Sequence, residues 1–197
     1  MNQNTTKLLT DILRKISNTH HIRPGEIPDI DLYMDQVTTF MDEHLKGTRR
    51  YEEDKILTKT MINNYTKKKL LPHPTKKRYT KEHLLLLIYI YYFKDFLSLT
   101  DIRAILDPIM EKFFQTENPI SIEDIYAETY ELSEDWISTV CHDIMETWHT
   151  ASNSFADCPK EDQESLQIFS FICMLSFDIY LKKQVIERLI DSIEKTE

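Results

Sequence analysis

The sequence predicts an all-α protein with one small basic wing and an acidic helical end, and three observations carry that prediction. Only Gly25 and Gly47 occur among 197 residues, too few for a β-protein built on tight hairpins, a dinucleotide fingerprint or a glycine-rich phosphate loop. Apolar residues make up 41% of the chain and recur mostly at three- and four-residue steps, the helical period. Helix start signals stand ahead of several of these segments, as in Ser98-Leu99-Thr100-Asp101 and Ser121-x-x-Asp124.

The elements follow in order. Leu8, Leu9, Ile12, Leu13 and Ile16 place an amphipathic helix at 5–17. The stretch Arg23–Pro28, with two prolines and a glycine, is a connector, and together these define an N-terminal segment, 1–26. Tyr33, Val37, Phe40, Met41 and His44 form one stripe of a helix at 32–45, and the polar 46–55 reads as a loop. Thr58 caps a short helix to about Lys68, ended by Leu70-Leu71-Pro72-His73-Pro74, because proline cannot continue a helix. Thr80 opens the next helix. Its run Leu84–Phe93 is apolar on every side and demands more than one packing neighbour. Ser98 starts another helix, and Asp107-Pro108 reads as an N-cap with proline at the first helical position. Further helices are expected at 108–116, 121–131, 133–150 and 160–193, with a turn at Phe155–Pro159. The composition changes near residue 107, which divides the chain into 27–106 and an acidic, aromatic 107–197.

Charge is distributed unevenly. The chain carries a formal −9. Residues 55–82 hold nine bases and a single acid, whereas 107–197 hold 20 acids and 6 bases. A basic island in an acidic chain points to a localised polyanion-binding surface or, on charge alone, to a solvated face that offsets the acidic half. Phase along the helix at 58–68 sharpens this: Thr58, Met61, Ile62 and Tyr65 gather on one arc, and Lys59, Thr60, Asn63, Asn64 and Lys67 on the other. The second arc has what a major-groove helix uses, amides for an adenine edge and cations for phosphates. The short segment Thr75–Arg78 then supplies Lys76, Lys77 and Arg78 for the backbone. The expected partner is double-stranded DNA.

These residues carry a resemblance. M-I-N-N-Y-T-K-K-K-L-L-P (61–72), K-K-R-Y-T-K-E-H-L (76–84) and L-S-L-T-D-I (97–102) resemble, in order and spacing, the recognition helix, wing and following helix of MerR-type transcriptional regulators. That resemblance implies a winged helix-turn-helix over 27–106 that binds duplex DNA and regulates transcription. Asn63 stands where the pattern has arginine and Lys69 where it has glycine, departures that bear on base preference and docking angle. No long heptad stripe follows residue 106 as the MerR dimer helix would. The whole chain, with I-P-D-I-D-L-Y-M-D-Q-V at 27–37, further resembles a bacterial family known only as domain of unknown function 1836, which implies no activity. The alternative is a non-enzymatic protein-interaction or ligand-sensing module on the same scaffold.

Other constellations are weaker. His83, His142-Asp143 and Asp178 echo the order of metal phosphohydrolases of the HD type, but the spacing is loose. No catalytic set, metal or cofactor is assigned, and the expectation is a protein that is not an enzyme. Tyr126, Tyr130, Trp136, Trp148, Phe155, Phe169, Phe171 and Phe177 read chiefly as the core of a helical bundle, as does Cys173. Leu166–Phe177 is apolar on more faces than one bundle covers, so a homodimer through 160–193 is expected, with a small-molecule or protein effector as a further partner. No strictly apolar run reaches the ~20 residues of a membrane helix, and a membrane is not an expected partner. The polar N-terminus and three scattered cysteines lead to an expectation of a cytoplasmic protein with reduced thiols.

Overall fold

A computed structural model describes residues 3–17 and 22–194. It is mostly helical. The elements are α1 (Gln3–Ser17), β1 (Leu32–Tyr33), α2 (Met34–Leu45), α3 (Lys59–Lys67), β2 (Arg78–Tyr79), α4 (Lys81–Phe93), α5 (Leu99–Phe113), α6 (Ile122–Ser152) and α7 (Lys160–Glu194). The chain divides into two compact units, one of Met1–His20 with Leu132–Arg188 and one of His21–Glu131 with Leu189–Glu197. The composition change at residue 107 lies within α5, inside the second of these units.

The unit that contains His21–Glu131 is organised around α4. His83, all five residues from Leu84 to Ile88, Ile90 and Tyr91 are buried, as a helix apolar on every face requires. Val37, Met41 and Leu45 of α2, Ile62 and Tyr65 of α3, Ile102 and Leu106 of α5, and Ile122 and Tyr126 of α6 are buried in the same unit, and Tyr126 meets Tyr89 of α4 edge to face at 5.7 Å. The short strands β1 and β2 pair antiparallel, Leu32 with Tyr79 and Tyr33 with Arg78. Lys81 sits between the carboxylates of Asp29 at 2.6 Å and Glu123 at 2.5 Å. Burial opposes its charge, but the two carboxylates prevail and its pKa is raised. That ion triad ties the connector before β1 to α4 and α6.

The other unit packs α1 against the later part of α6 and α7. Leu9, Leu13, Trp148, Ala151 and Phe171 form its core, with Cys141, Ile144, Met145 and Leu175 against it. Trp148 meets Phe171 edge to face at 5.0 Å. The buried amide of Gln167 donates to the Ser152 and Ser154 carbonyls at 2.7 and 3.1 Å and so closes the turn between α6 and α7.

Several expected boundaries are corrected. Helix α5 runs through Pro108 instead of starting there. The reciprocal Ser98–Asp101 box, at 3.2 and 3.1 Å, has already started that helix, and buried Ile102 and Leu106 hold it on the core. Asp107 is no cap; it accepts from Arg103 at 2.9 Å one turn back. The two helices expected at 121–131 and 133–150 are one, α6. Ser133 does not interrupt it, because its neighbours Glu131, Leu132 and Glu134 are strong helix formers. Trp136, Phe155, Phe169 and Phe177 are exposed, as is Cys173, so the C-terminal aromatic set is only partly core. A unit of three helices has too little interior to enclose them all.

Candidate nucleic-acid interface

Helix α3 is short, and each end is locally specified. Thr58 Oγ1 accepts from the Met61 amide at 3.2 Å. At the other end the Leu70 amide donates to the Tyr65 carbonyl (2.9 Å) and the Lys69 amide to that of Thr66 (3.1 Å). This pair of bonds is a Schellman closure, and it needs a left-handed residue after the helix; Lys69 supplies it at φ 60°. Leu70 and Leu71 then plunge into the core, each 1% exposed. With Ile62 and Tyr65 buried on its inner side, α3 turns Lys59, Thr60, Asn63, Asn64 and Lys67 to solvent, and all five are exposed.

The segment expected as a wing is a two-residue turn. Thr75 bridges Arg78, the Arg78 amide donates to the Thr75 carbonyl at 3.0 Å, and Lys76 and Lys77 between them have φ of 52° and 63°. Two successive left-handed residues closed by that bond make a type I′ turn, whose usual occupants are asparagine and glycine. Lys76, Lys77 and Arg78 are exposed at its tip. The Arg78 guanidinium lies over the Tyr33 ring, 5.3 Å from its centre, and donates to the Tyr33 hydroxyl at 3.3 Å.

The start of α2 joins these two parts. Tyr33 precedes α2 and holds the wing arginine. Asp35, in the first turn of α2, pairs with Lys59 at the start of α3. Helix α3 and the turn at 75–78 are therefore tied to the start of α2, through Asp35 in its first turn and Tyr33 just before it. A third cationic feature adjoins them: a cleft of about 440 Å³ lined by Lys67, Lys68, Lys69, Thr100 and Arg103. Sequence reasoning missed Lys68, Lys69, Thr100 and Arg103. The first two lie just past the helix end, where phase arguments stop. Arg103 and Thr100 reach the cleft only because α5 packs beside the end of α3, which no local signal encodes.

The residues that follow this turn, Tyr79 and Thr80, are held to α4 by His83. Its Nδ1 accepts from the Thr80 amide at 3.1 Å, placing the proton on Nε2. The ring is 2% exposed and meets Tyr79 and Phe114 edge to face at 5.6 and 4.9 Å. Burial pushes its pKa down to about 4, against the opposing pull of the His73 and Pro72 carbonyls and Asp31. His83 is thus a neutral structural pin. It falls in a different compact unit from His142 and Asp178, and among the described residues no group of three or more His, Cys, Asp or Glu side chains gathers as for a metal.

The family described as Domain of unknown function (DUF1836) matches residues 22–129, more than half of the chain. The chain belongs to that family. The matched DUF1836 segment coincides closely with the compact unit His21–Glu131, so the family is defined by the unit that holds α3, the wing and the cationic cleft. No curated protein and no solved structure matches the chain.

Proposed function

We propose that this DUF1836 unit is a MerR-like winged helix-turn-helix that binds duplex DNA with sequence preference and regulates transcription. In this reading α3 enters the major groove, with Asn63 and Asn64 reading base edges and Lys59, Thr60 and Lys67 flanking them. Lys76, Lys77 and Arg78 hold the phosphate backbone, joined by Lys68, Lys69 and Arg103 at the cleft.

One observation carries the proposal. Among the described residues five non-glycine positions have positive φ, and three of them, Lys69, Lys76 and Lys77, are exposed lysines of the basic segment 67–78. Each has a left-handed backbone that glycine or asparagine would adopt at less cost, by about 1 kcal/mol. Conformational economy argues against lysine at all three, so a demand for cations outweighs it. The position where the MerR pattern has glycine is Lys69, and its backbone has the conformation a glycine would explain.

The test is selection of bound duplexes from a random pool at two salt concentrations with the full chain. Enrichment of a motif, and a log–log salt slope of about −5 for about six phosphate contacts, are expected. Failure to bind any duplex at low salt, or binding with no salt dependence, overturns the reading in favour of a protein-interaction module.

A further inference from the structure

The ribbon of β1 and β2 has an inner and an outer face. Leu32 and Tyr79, paired across it, are 5% and 3% exposed. The next pair, Tyr33 and Arg78, points the other way, because successive side chains on a strand alternate between faces. Both are exposed, Tyr33 at 51%. There the Arg78 guanidinium lies over the Tyr33 ring, 5.3 Å from its centre, and Nη2 donates to the phenol oxygen at 3.3 Å. Among the described residues, the neighbouring Lys76 and Lys77 have no side-chain partner of any kind. Asp31, two residues before Tyr33, is also exposed. It lines a depression of about 610 Å³ together with Tyr33, Thr75, Lys76 and Arg78, yet its carboxylate makes no ion pair with either cation.

We infer that Tyr33 is a positioning residue for duplex binding: it holds Arg78 ready for a backbone phosphate and keeps it off Asp31. The inference rests on the duplex-binding reading given above. A guanidinium is planar and carries its N–H donors around one edge, and it stacks on aromatic rings through its face. The Tyr33 ring occupies that face and its hydroxyl takes one donor, so the rest of the edge stays open. That edge is what a phosphate accepts from, in the paired geometry that makes such bonds strong. An unheld arginine must give up its rotamer freedom on binding. Arg78 has given up much of it already, in the free protein.

Asp31 makes this restraint matter. Its carboxylate competes for the same edge, and a charge-assisted bond to it would consume the donors a phosphate needs. As a stabilising contact the ring pair is minor, since an exposed cation–π contact contributes little to folding. Its effect lies in where it leaves the guanidinium.

The experiment measures affinity of the full chain for the duplex enriched by selection and for an unrelated duplex, by fluorescence anisotropy at one low salt concentration. Tyr33→Leu should weaken binding to both by about three- to tenfold. Tyr33→Phe, which keeps the ring, should stay within about twofold of wild type. In an Arg78→Ala background Tyr33→Leu should have no further effect, and adding Asp31→Asn to Tyr33→Leu should recover part of the loss. A purely structural role for Tyr33 would instead give a loss that persists without Arg78.

Should Tyr33→Leu not fold, wild-type protein decides. The Arg78 side-chain protons should show a ring-current shift in nuclear magnetic resonance spectra, and that shift should persist when the enriched duplex is added. Losses that add in the Tyr33–Arg78 cycle, a Tyr33→Phe variant as weak as Tyr33→Leu, or a ring-current shift that disappears on duplex binding would each overturn the inference. A loss untouched by Asp31→Asn overturns the part given to Asp31. Wild-type protein that binds no duplex overturns the proposed function and this inference with it, whereas wild-type binding with additive losses overturns this inference alone.

Discussion

Lys69, Lys76 and Lys77 separate stability from binding more cleanly than any other residues in the chain. Each has the left-handed backbone that glycine adopts freely. Lys69→Gly and Lys77→Gly are therefore expected to stabilise the fold by about 0.5–1 kcal/mol each, seen as a raised midpoint in urea. The same substitutions should weaken binding to all duplexes alike and each lower the salt slope by about 1. Unchanged binding in both variants would show that these lysines do not face the polyanion. His83 gives a pH dependence. Its folded pKa of about 4 lies below the ordinary 6.5, so the unfolded chain binds the proton more readily between those values. Stability is complete above about pH 6.5 and falls as the pH drops toward 4, by on the order of 3 kcal/mol at most. His83→Phe should flatten that slope in denaturant titrations at pH 7 and pH 5; an equal slope would mean another group sets it.

The elements near the basic surface take their positions from caps more than from propensity. Thr58, Ser98 and Ser121 each accept from the amide three residues on, and all three starts are legible in the sequence, because a cap is a contact within one turn. Interiors were less legible. Pro108 resembles a first-turn proline, yet buried Leu106 and the earlier start at Ser98 carry α5 past it; packing outweighs the lost hydrogen bond. Ser98→Ala is expected to cost about 1 kcal/mol and, because α5 begins at the cationic cleft, to weaken duplex binding in proportion to the loss of order there. For α3 the roles divide. Asn63→Ala should alter the enriched motif in a duplex selection, whereas Lys77→Ala should lower affinity for every sequence equally. An unchanged motif with Asn63→Ala would remove α3 from the groove.

The whole molecule joins a unit shared across its family, which carries a local basic surface, to a second unit whose helix α7 exposes apolar residues. If the chain pairs through its C-terminal helices, as the sequence analysis expects, one particle presents two copies of α3 and of the basic turn at 75–78. Selected duplexes should then show an inverted repeat with half-sites separated by about 10 bp or a multiple. A single half-site enriched by a dimeric wild type would dissociate pairing from duplex recognition.

Composition, caps and helical phase determined most of the architecture and the solvent-facing arc of α3. Those are short-range properties: glycine scarcity, a hydroxyl three residues before an amide, and side chains repeating every 3.6 residues. The tertiary structure decided the rest. It showed left-handed lysines at the wing tip and at the end of α3, and brought Tyr33 to Arg78, Asp35 to Lys59, and Arg103 beside Lys67–Lys69. It also left Cys173, Phe169 and Phe177 outside a core to which their apolar character would have assigned them. A local pattern states that a side chain prefers burial, but only the packed volume of the folded unit determines how many such residues it encloses.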